Sequence, residues 1–415
     1  KARDFRLTKS HRVQTSIKGN QSRRDLNLQV RRNRPPTRTF SNASITSSLD
    51  SSDIQTLTNS IIDAIGHRQS DDEFERCCSR MCVMFSSEPN TTFRKAVLDE
   101  GVLRKLSLHI STPRSASSLR TAILSVSSVI STLWVEGEVS ILTPLRVKST
   151  SEALSAIVSH CQANANGVEI FYFNSSVSEN RSNYKIDGEM FSWVLRSLGA
   201  IYRLGMEAVD SAETYQIASH LAKFLSQNDL SNDVVKALLC SLAGLAFGGD
   251  VLTLSMLRIK DKNGTLNDQL LALISKYFVH NDFELRVEAM NVVLNALKSS
   301  EASITESICT KPKVLDKLFR QLYCEDENCA YLAIKIFHCF VQSGESRHVA
   351  LLMDYGLISS LSILSKMNSA MLDTVLSIME CLVLRGSEFH AHLQDDQLAE
   401  QLAIFANSNS NSHVF

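Results

Sequence analysis

Paired arginines bracket the stretch RRDLNLQVRRNR, residues 23–34. A guanidinium presents a planar fork that binds a carboxylate or phosphate through two hydrogen bonds, so paired arginines suit an acidic receptor or a nucleic acid. Leu26, Leu28 and Val30 alternate between them, a period of two that reads as strand or coil. Other reactive residue types are scattered. Cys77, Cys78 and Cys82 crowd together without CxxC spacing, and His67 nearby is isolated, so they give no zinc set. His390 and His392 are the closest histidine pair and alone do not define a metal site. No Walker lysine loop, GxSxG elbow or HExxH occurs. The expectation is therefore no catalytic residue, no metal, no cofactor and no small-molecule substrate.

The arginines belong to a charge asymmetry. Residues 1–38 hold 12 Lys/Arg against Asp4 and Asp25. The formal net charge of the whole chain is −1, so the rest carries about −11. A basic arm on an acidic body serves a partner or folds back on its own body, and the body's charge disfavours nucleic acid as that partner. Residues 39–53, TFSNASITSSLDSSD, read as a flexible Ser-rich linker. No apolar run looks long enough to span a bilayer. The ten cysteines sit among apolar residues and read as reduced core thiols.

Helices must position whatever the chain binds. The chain is 44% hydrophobic with only 6 prolines, none between Pro144 and Pro312, which favours helix after helix. Ile217, Leu221, Phe224 and Leu225 form one face at helical spacing; Leu315, Leu318, Phe319 and Leu322 form another; Leu357, Leu361 and Leu364 a third. No sustained strand signal stands out. RKAVLDEGVLRKLSLHI (94–110) and RHVALLMDYGLISSLSIL (347–364) share a design. In both, a short helix ends near an aspartate, a glycine turns the chain and a longer amphipathic helix follows. Gly101 and Gly356 lie 255 residues apart, which is about six periods of roughly 42, the armadillo range. The expected fold is all-α: an armadillo-repeat right-handed α-solenoid of about eight repeats with a disordered basic N-terminal tail. The expected organisation is a tail at 1–38, a linker at 39–53, a solenoid at 54–407 and a polar end at 408–415.

In two places the chain resembles importin-α, the nuclear-import adaptor family. Arg23, Arg24, Asp25, Leu26, Leu28, Val30, Arg31 and Arg32 fit the family's importin-β-binding segment, with Gln29 where the family has Glu. ERCCSRMCVMFSSEPNTTFRKAVLDEGVLRKL (75–106) is similar to its first armadillo repeat. The resemblance implies a tail that becomes helical when importin-β wraps it, and a concave face that takes cargo by a Lys/Arg-rich nuclear localisation signal. In that family a Trp and, four residues later, an Asn line the third helix of most repeats. Trp193 matches such a Trp, with Ser197 at its Asn position, and Asn295 matches such an Asn, with Asn291 at its Trp position. Ser155 and Ser159 stand at the pair's positions in the third repeat. Trp193 could serve the groove or the core. The resemblance implies a cytoplasmic and nuclear protein with importin-β and nuclear cargo as partners and no membrane. The alternative is a non-catalytic armadillo scaffold that no longer binds basic signals.

Overall fold

Residues 312–322 show how the chain builds its elements. Pro312 opens the helix at N1, where its missing N–H costs nothing. Val314, Leu315, Leu318, Phe319 and Leu322 then recur on one side and are all buried. The computed structural model describes residues 70–87, 91–99, 101–113, 115–135, 144–164, 167–170, 186–204, 211–227, 229–248, 269–298, 302–309, 311–367 and 371–386, with residues 59, 63, 142 and 253 besides. The basic tail, including Arg23 to Arg32, and the linker at 39–53 lie outside the described residues.

In chain order the elements are α1 (Asp71–Ser87), α2 (Thr91–Asp99), α3 (Val102–Ser111), α4 (Ala116–Val135), α5 (Pro144–His160), β1 (Cys161–Asn164), β2 (Gly167–Ile170), α6 (Gly188–Tyr202), α7 (Ser211–Leu225), α8 (Asn232–Phe247), α9 (Gln269–Lys276), α10 (Phe283–Leu297), α11 (Ala302–Cys309), α12 (Pro312–Leu322), α13 (Glu327–Ser343), α14 (Ser346–Asp354), α15 (Leu357–Met367) and α16 (Leu372–Arg385). A single 3-10 turn, Tyr277–Val279, extends α9.

The long helices stack in one row. α1 packs on α4, α4 on α6, α6 on α8, α8 on α10, α10 on α13 and α13 on α16. Behind them runs a second row, in which α3 meets α5, α5 meets α7 and α9 meets α12. This two-row stack is an armadillo-repeat α-solenoid. Each inner long helix is covered by two neighbours in its row, and α8 is also covered by α7 of the second row, which explains its near-continuous apolar run. There Val234, Val235, Ala237, Leu238, Leu239, Leu242, Ala243, Leu245 and Ala246 are all buried. Ile217, Leu221, Phe224 and Leu225, and likewise Leu357, Leu361 and Leu364, are buried as their spacing predicts. α4, 20 residues long, corrects the expectation that no apolar run could span a bilayer: it is long and apolar enough by length and composition. Here its apolar residues serve packing against α1, α3 and α6.

Two kinds of glycine fix the stack. Gly101 (φ 73°) and Gly356 (φ 86°) adopt the left-handed conformation between a short helix and a longer one. That is the turn the sequence design predicts. Gly199 on α6 and Gly244 on α8 instead let two backbones touch. A Cβ on Gly199 would lie 2.8 Å from the Cys240 carbonyl oxygen, and one on Gly244 would run into the Gly199 carbonyl. Arg94, fully buried, closes the end of α1: its Nε and Nη2 donate to the Phe85 carbonyl at 3.1 and 2.8 Å.

One short element departs from the helices, and the repeat spacing is corrected. A two-stranded antiparallel hairpin, Cys161 paired with Ile170 and Asn164 with Gly167, interrupts the helices. Strands of 4 residues are too short to leave a periodic signal in sequence. The hairpin also lies between α5 and α6, which belong to one unit, since α5 stands in the second row and packs on α6. The hairpin is therefore an insertion within a repeat. Among the described residues, the order of elements separates Gly101 and Gly356 by five second-row steps, α3 to α5, α7, α9, α12 and α15, rather than six even periods. Among the described residues the long row contains seven helices.

The glycines make a graded prediction. Gly101→Ala meets no atom within 4 Å and should cost only its left-handed strain, about 1 kcal/mol. Gly244→Ala must push α6 and α8 apart and should cost on the order of 3 kcal/mol. Urea denaturation of both variants checks the order.

Candidate binding face on the long-helix row

Three long helices of the row begin on an aspartate cap. Asp187 Oδ1 accepts from Met190 N at 2.8 Å, Asp282 Oδ1 from Glu284 N at 2.9 Å and Asp326 Oδ1 from Cys329 N at 2.9 Å. These aspartates serve as N-caps, each satisfying a free helix N–H. They bring the start of α6, α10 and α13 to one edge of the row.

Between the helices runs a seam of small polar side chains. Ser197 Oγ donates to the Trp193 carbonyl at 2.8 Å and lies 2.8 Å from Ser127 Oγ on α4. Ser127 Oγ in turn reaches the Trp193 carbonyl at 3.4 Å. Ser241 on α8 donates to the Leu195 carbonyl of α6, and Asn295 Nδ2 on α10 donates to the Ala243 carbonyl of α8 at 2.9 Å. These bonds tie α4, α6, α8 and α10 in order.

Two of the residues that the family resemblance singles out lie within that seam. Ser197 is 2% exposed and Asn295 9%. Trp193 is 7% exposed, with the Arg196 guanidinium 5.5 Å from its ring centroid. Trp193 and Ser197 sit together on α6, and Asn295 sits two helices away on α10. Ser155 and Ser159 stand on α5 in the second row, which corrects their placement on a long helix. The proposed importin-β contacts, Arg23 to Arg32, lie outside the described residues.

The seam leaves other side chains at the surface of the row. Lys236 on α8 pairs with Glu284 on α10, both largely shielded from water. Beside them lie Arg196 of α6, Arg203 at its C-cap and Cys240 of α8, with Glu288 and Asn291 of α10. Burial holds the Glu288 carboxyl above its usual range, against the pull of Arg203, Lys236, a hydrogen bond from Asn291, and Arg196. Burial, then Arg196, holds the Lys236 ammonium below its usual range, against Glu288, Asp282 and Asp233. Burial, then Glu288, pushes the Cys240 thiol up to about 11. Further along the row, Lys335 lies 4.2 Å from the Tyr331 ring centroid and Lys298 5.8 Å from that of Phe247. Three aromatic rings on the row therefore each carry a cation from this chain.

The Glu288 cluster gave no signal in the sequence because its members are spread over about 90 residues of chain on three units. Among the described residues no group of three or more His, Cys, Asp or Glu could hold a metal ion.

The fold class is that of an armadillo-repeat protein. No family model matches the chain, and no curated protein matches it. Among solved structures, one described as an engineered protein is 15% identical, covering 70% of this chain and 98% of its own at a TM-score of 0.48. A designed armadillo repeat protein in complex with the peptide (KR)4 is 12% identical, covering 78% and 98% at a TM-score of 0.40.

Glu288 sets a pH signature. Its native carboxyl binds its proton more tightly than the unfolded one, so its contribution favours folding in acid and is lost as pH rises through the raised native value. Urea midpoints of the wild type and Glu288→Gln, measured between acid and neutral pH, should differ by a term that falls with pH in the wild type. A constant difference would remove Glu288 as its source.

Proposed function

We propose that this chain is a non-catalytic, polypeptide-binding adaptor built on an armadillo scaffold, with importin-β as the partner of its basic tail and nuclear protein cargo on its long-helix face. The observation that carries the binding reading is the row itself. Its helices present one continuous face whose half-buried charges, Arg196, Arg203, Lys236, Glu284 and Glu288, come from three successive units. A stacked array offers an extended partner many shallow contacts along its length and gathers no single deep site. The importin-β part rests on the resemblance of residues 23–32 and on the tail's charge.

The nature of the cargo departs from the family's usual basic signal. Trp193, Ser197 and Asn295 are almost wholly buried, and the Asn295 amide already donates to Ala243. A peptide lysine would have to displace Arg196, Lys298 or Lys335 from the rings they cover. The second reading, a scaffold that docks partners without taking basic signals, is favoured by this burial.

Two measurements test the proposal. A pull-down with importin-β should retain the whole chain and lose it when residues 1–38 are removed; equal retention of both sinks the importin-β part. A labelled Lys/Arg-rich peptide, titrated by anisotropy, should show no saturable binding at micromolar concentrations. Tight binding, lost in a folded Trp193→Ala chain, would instead restore the basic-signal groove.

A further inference from the structure

Lys313, Lys317 and Arg320 recur on α12 at helical spacing and share one side of it. Lys317 is half-buried. Its ammonium donates to the Ser275 carbonyl oxygen at 3.0 Å and to Ser275 Oγ at 3.3 Å, so it is fixed against the end of α9. Lys276, the next residue, closes α9 beside it. Two neighbouring second-row helices thus bring four cations to one junction. Lys276, Lys313 and Arg320 are exposed. Among the described residues none of the four pairs with a carboxylate. Asp316, the only acid on α12, is turned from Lys317 by about 100° and acts on Tyr355 of the following unit. Burial, then Lys276, Lys313 and Arg320, holds the Lys317 ammonium below its usual range. Lys313 also stands in the first turn of α12, where the helix field disfavours a cation and no acid offsets it. The long-helix row differs: there Lys236 has Glu284, and Lys298 and Lys335 lie over aromatic rings.

We propose that the α9–α12 junction is a docking patch for a short acidic segment of a partner polypeptide, whose Asp or Glu carboxylates pair with Lys276, Lys313 and Arg320 around the fixed Lys317 ammonium. Like charges held together repel, and carboxylates placed among them relieve that repulsion. Arg320 can take a carboxylate through two hydrogen bonds, while the lysines act as point charges. The extent of the patch selects the partner. Lys313 and Arg320 lie about 10 Å apart along the helix, a length that roughly three extended residues span. Beyond the basic tail the chain carries about −11. A nucleic-acid duplex or an anionic membrane would run past the patch onto that acidic body and be repelled, whereas a few carboxylates stay within it. The patch belongs to the second row, so it is independent of what the long-helix face binds.

The test is lysine acetylation of the full chain at low salt, with and without excess hexaglutamate peptide, read at each lysine by mass spectrometry. The peptide should slow acetylation of Lys276 and Lys313 by about fivefold. Lys95 and Lys223, exposed elsewhere on the body, should keep their free rates, whatever the peptide does at the basic tail. Raising the salt should remove the protection. In a chain carrying Lys313→Glu and Arg320→Glu, with unchanged helical circular dichroism, Lys276 should lose its protection. Absence of protection at Lys276 and Lys313, equal protection of Lys95 and Lys223, or protection that survives in the double variant overturns the proposal. Parallel samples replace the peptide with a DNA duplex or with phosphatidylserine vesicles, and these should protect tail lysines alone. A duplex or vesicle that protects Lys276 and Lys313 as strongly as the peptide overturns the assignment to a polypeptide.

Discussion

The stack depends on one constraint: no helical unit here can cover its own apolar surface. α8 is apolar almost all round, and α6, α10 and α7 together remove it from water. Stability is then a sum of contacts between neighbours, and damage at one junction is felt mainly by the units on either side. The α6–α8 junction is the tightest case, because Gly199 and Gly244 bring the backbones within reach of each other. A side chain at either position would open a gap along the whole length of that contact, since interiors tolerate little change in volume.

The same demand decides which polar groups are available for binding. A hydroxyl or amide between packed helices must find a partner, or it costs more than it contributes. Ser127, Ser197, Ser241 and Asn295 find theirs across helix boundaries. Each is thereby drawn into the architecture. The charged residues one turn further out, Lys236, Glu284 and Glu288, sit where one side faces solvent and the other a neighbouring helix. Their interactions are less screened than on an open surface, which is why burial and opposite charge both leave their mark on Glu288.

How much of this the sequence disclosed depended on how local each signal is. The faces around Ile217, Leu315 and Leu357 repeat at helical spacing within a single segment, and their burial could be read directly. The turns at Gly101 and Gly356 were equally local, since a left-handed residue between helices calls for glycine. The hairpin inserted between α5 and α6 was missed because a period of roughly 42 can absorb one oversized unit without losing its regularity elsewhere. Ser155 and Ser159 were consequently assigned to the wrong row. The seam was hidden for another reason: Asn295 is separated from Ala243 by 52 residues, so nothing in either segment indicates that the amide is spent there.

A spacing of four residues on a helix places two side chains on one face but does not say what that face meets. Trp193 and Ser197 do share a face of α6, as their spacing requires. That face meets Ser127 of α4, which turns the Ser197 hydroxyl inward and leaves the indole largely covered beside Arg196. The cations over Trp193, Phe247 and Tyr331 satisfy the ring quadrupoles that a basic peptide would otherwise use. An incoming lysine would have to replace an attachment that is already local and costs little chain entropy to keep. The same holds for the acidic side of the row, where Lys236 is already paired with Glu284 and would have to leave it to meet a carboxylate from outside.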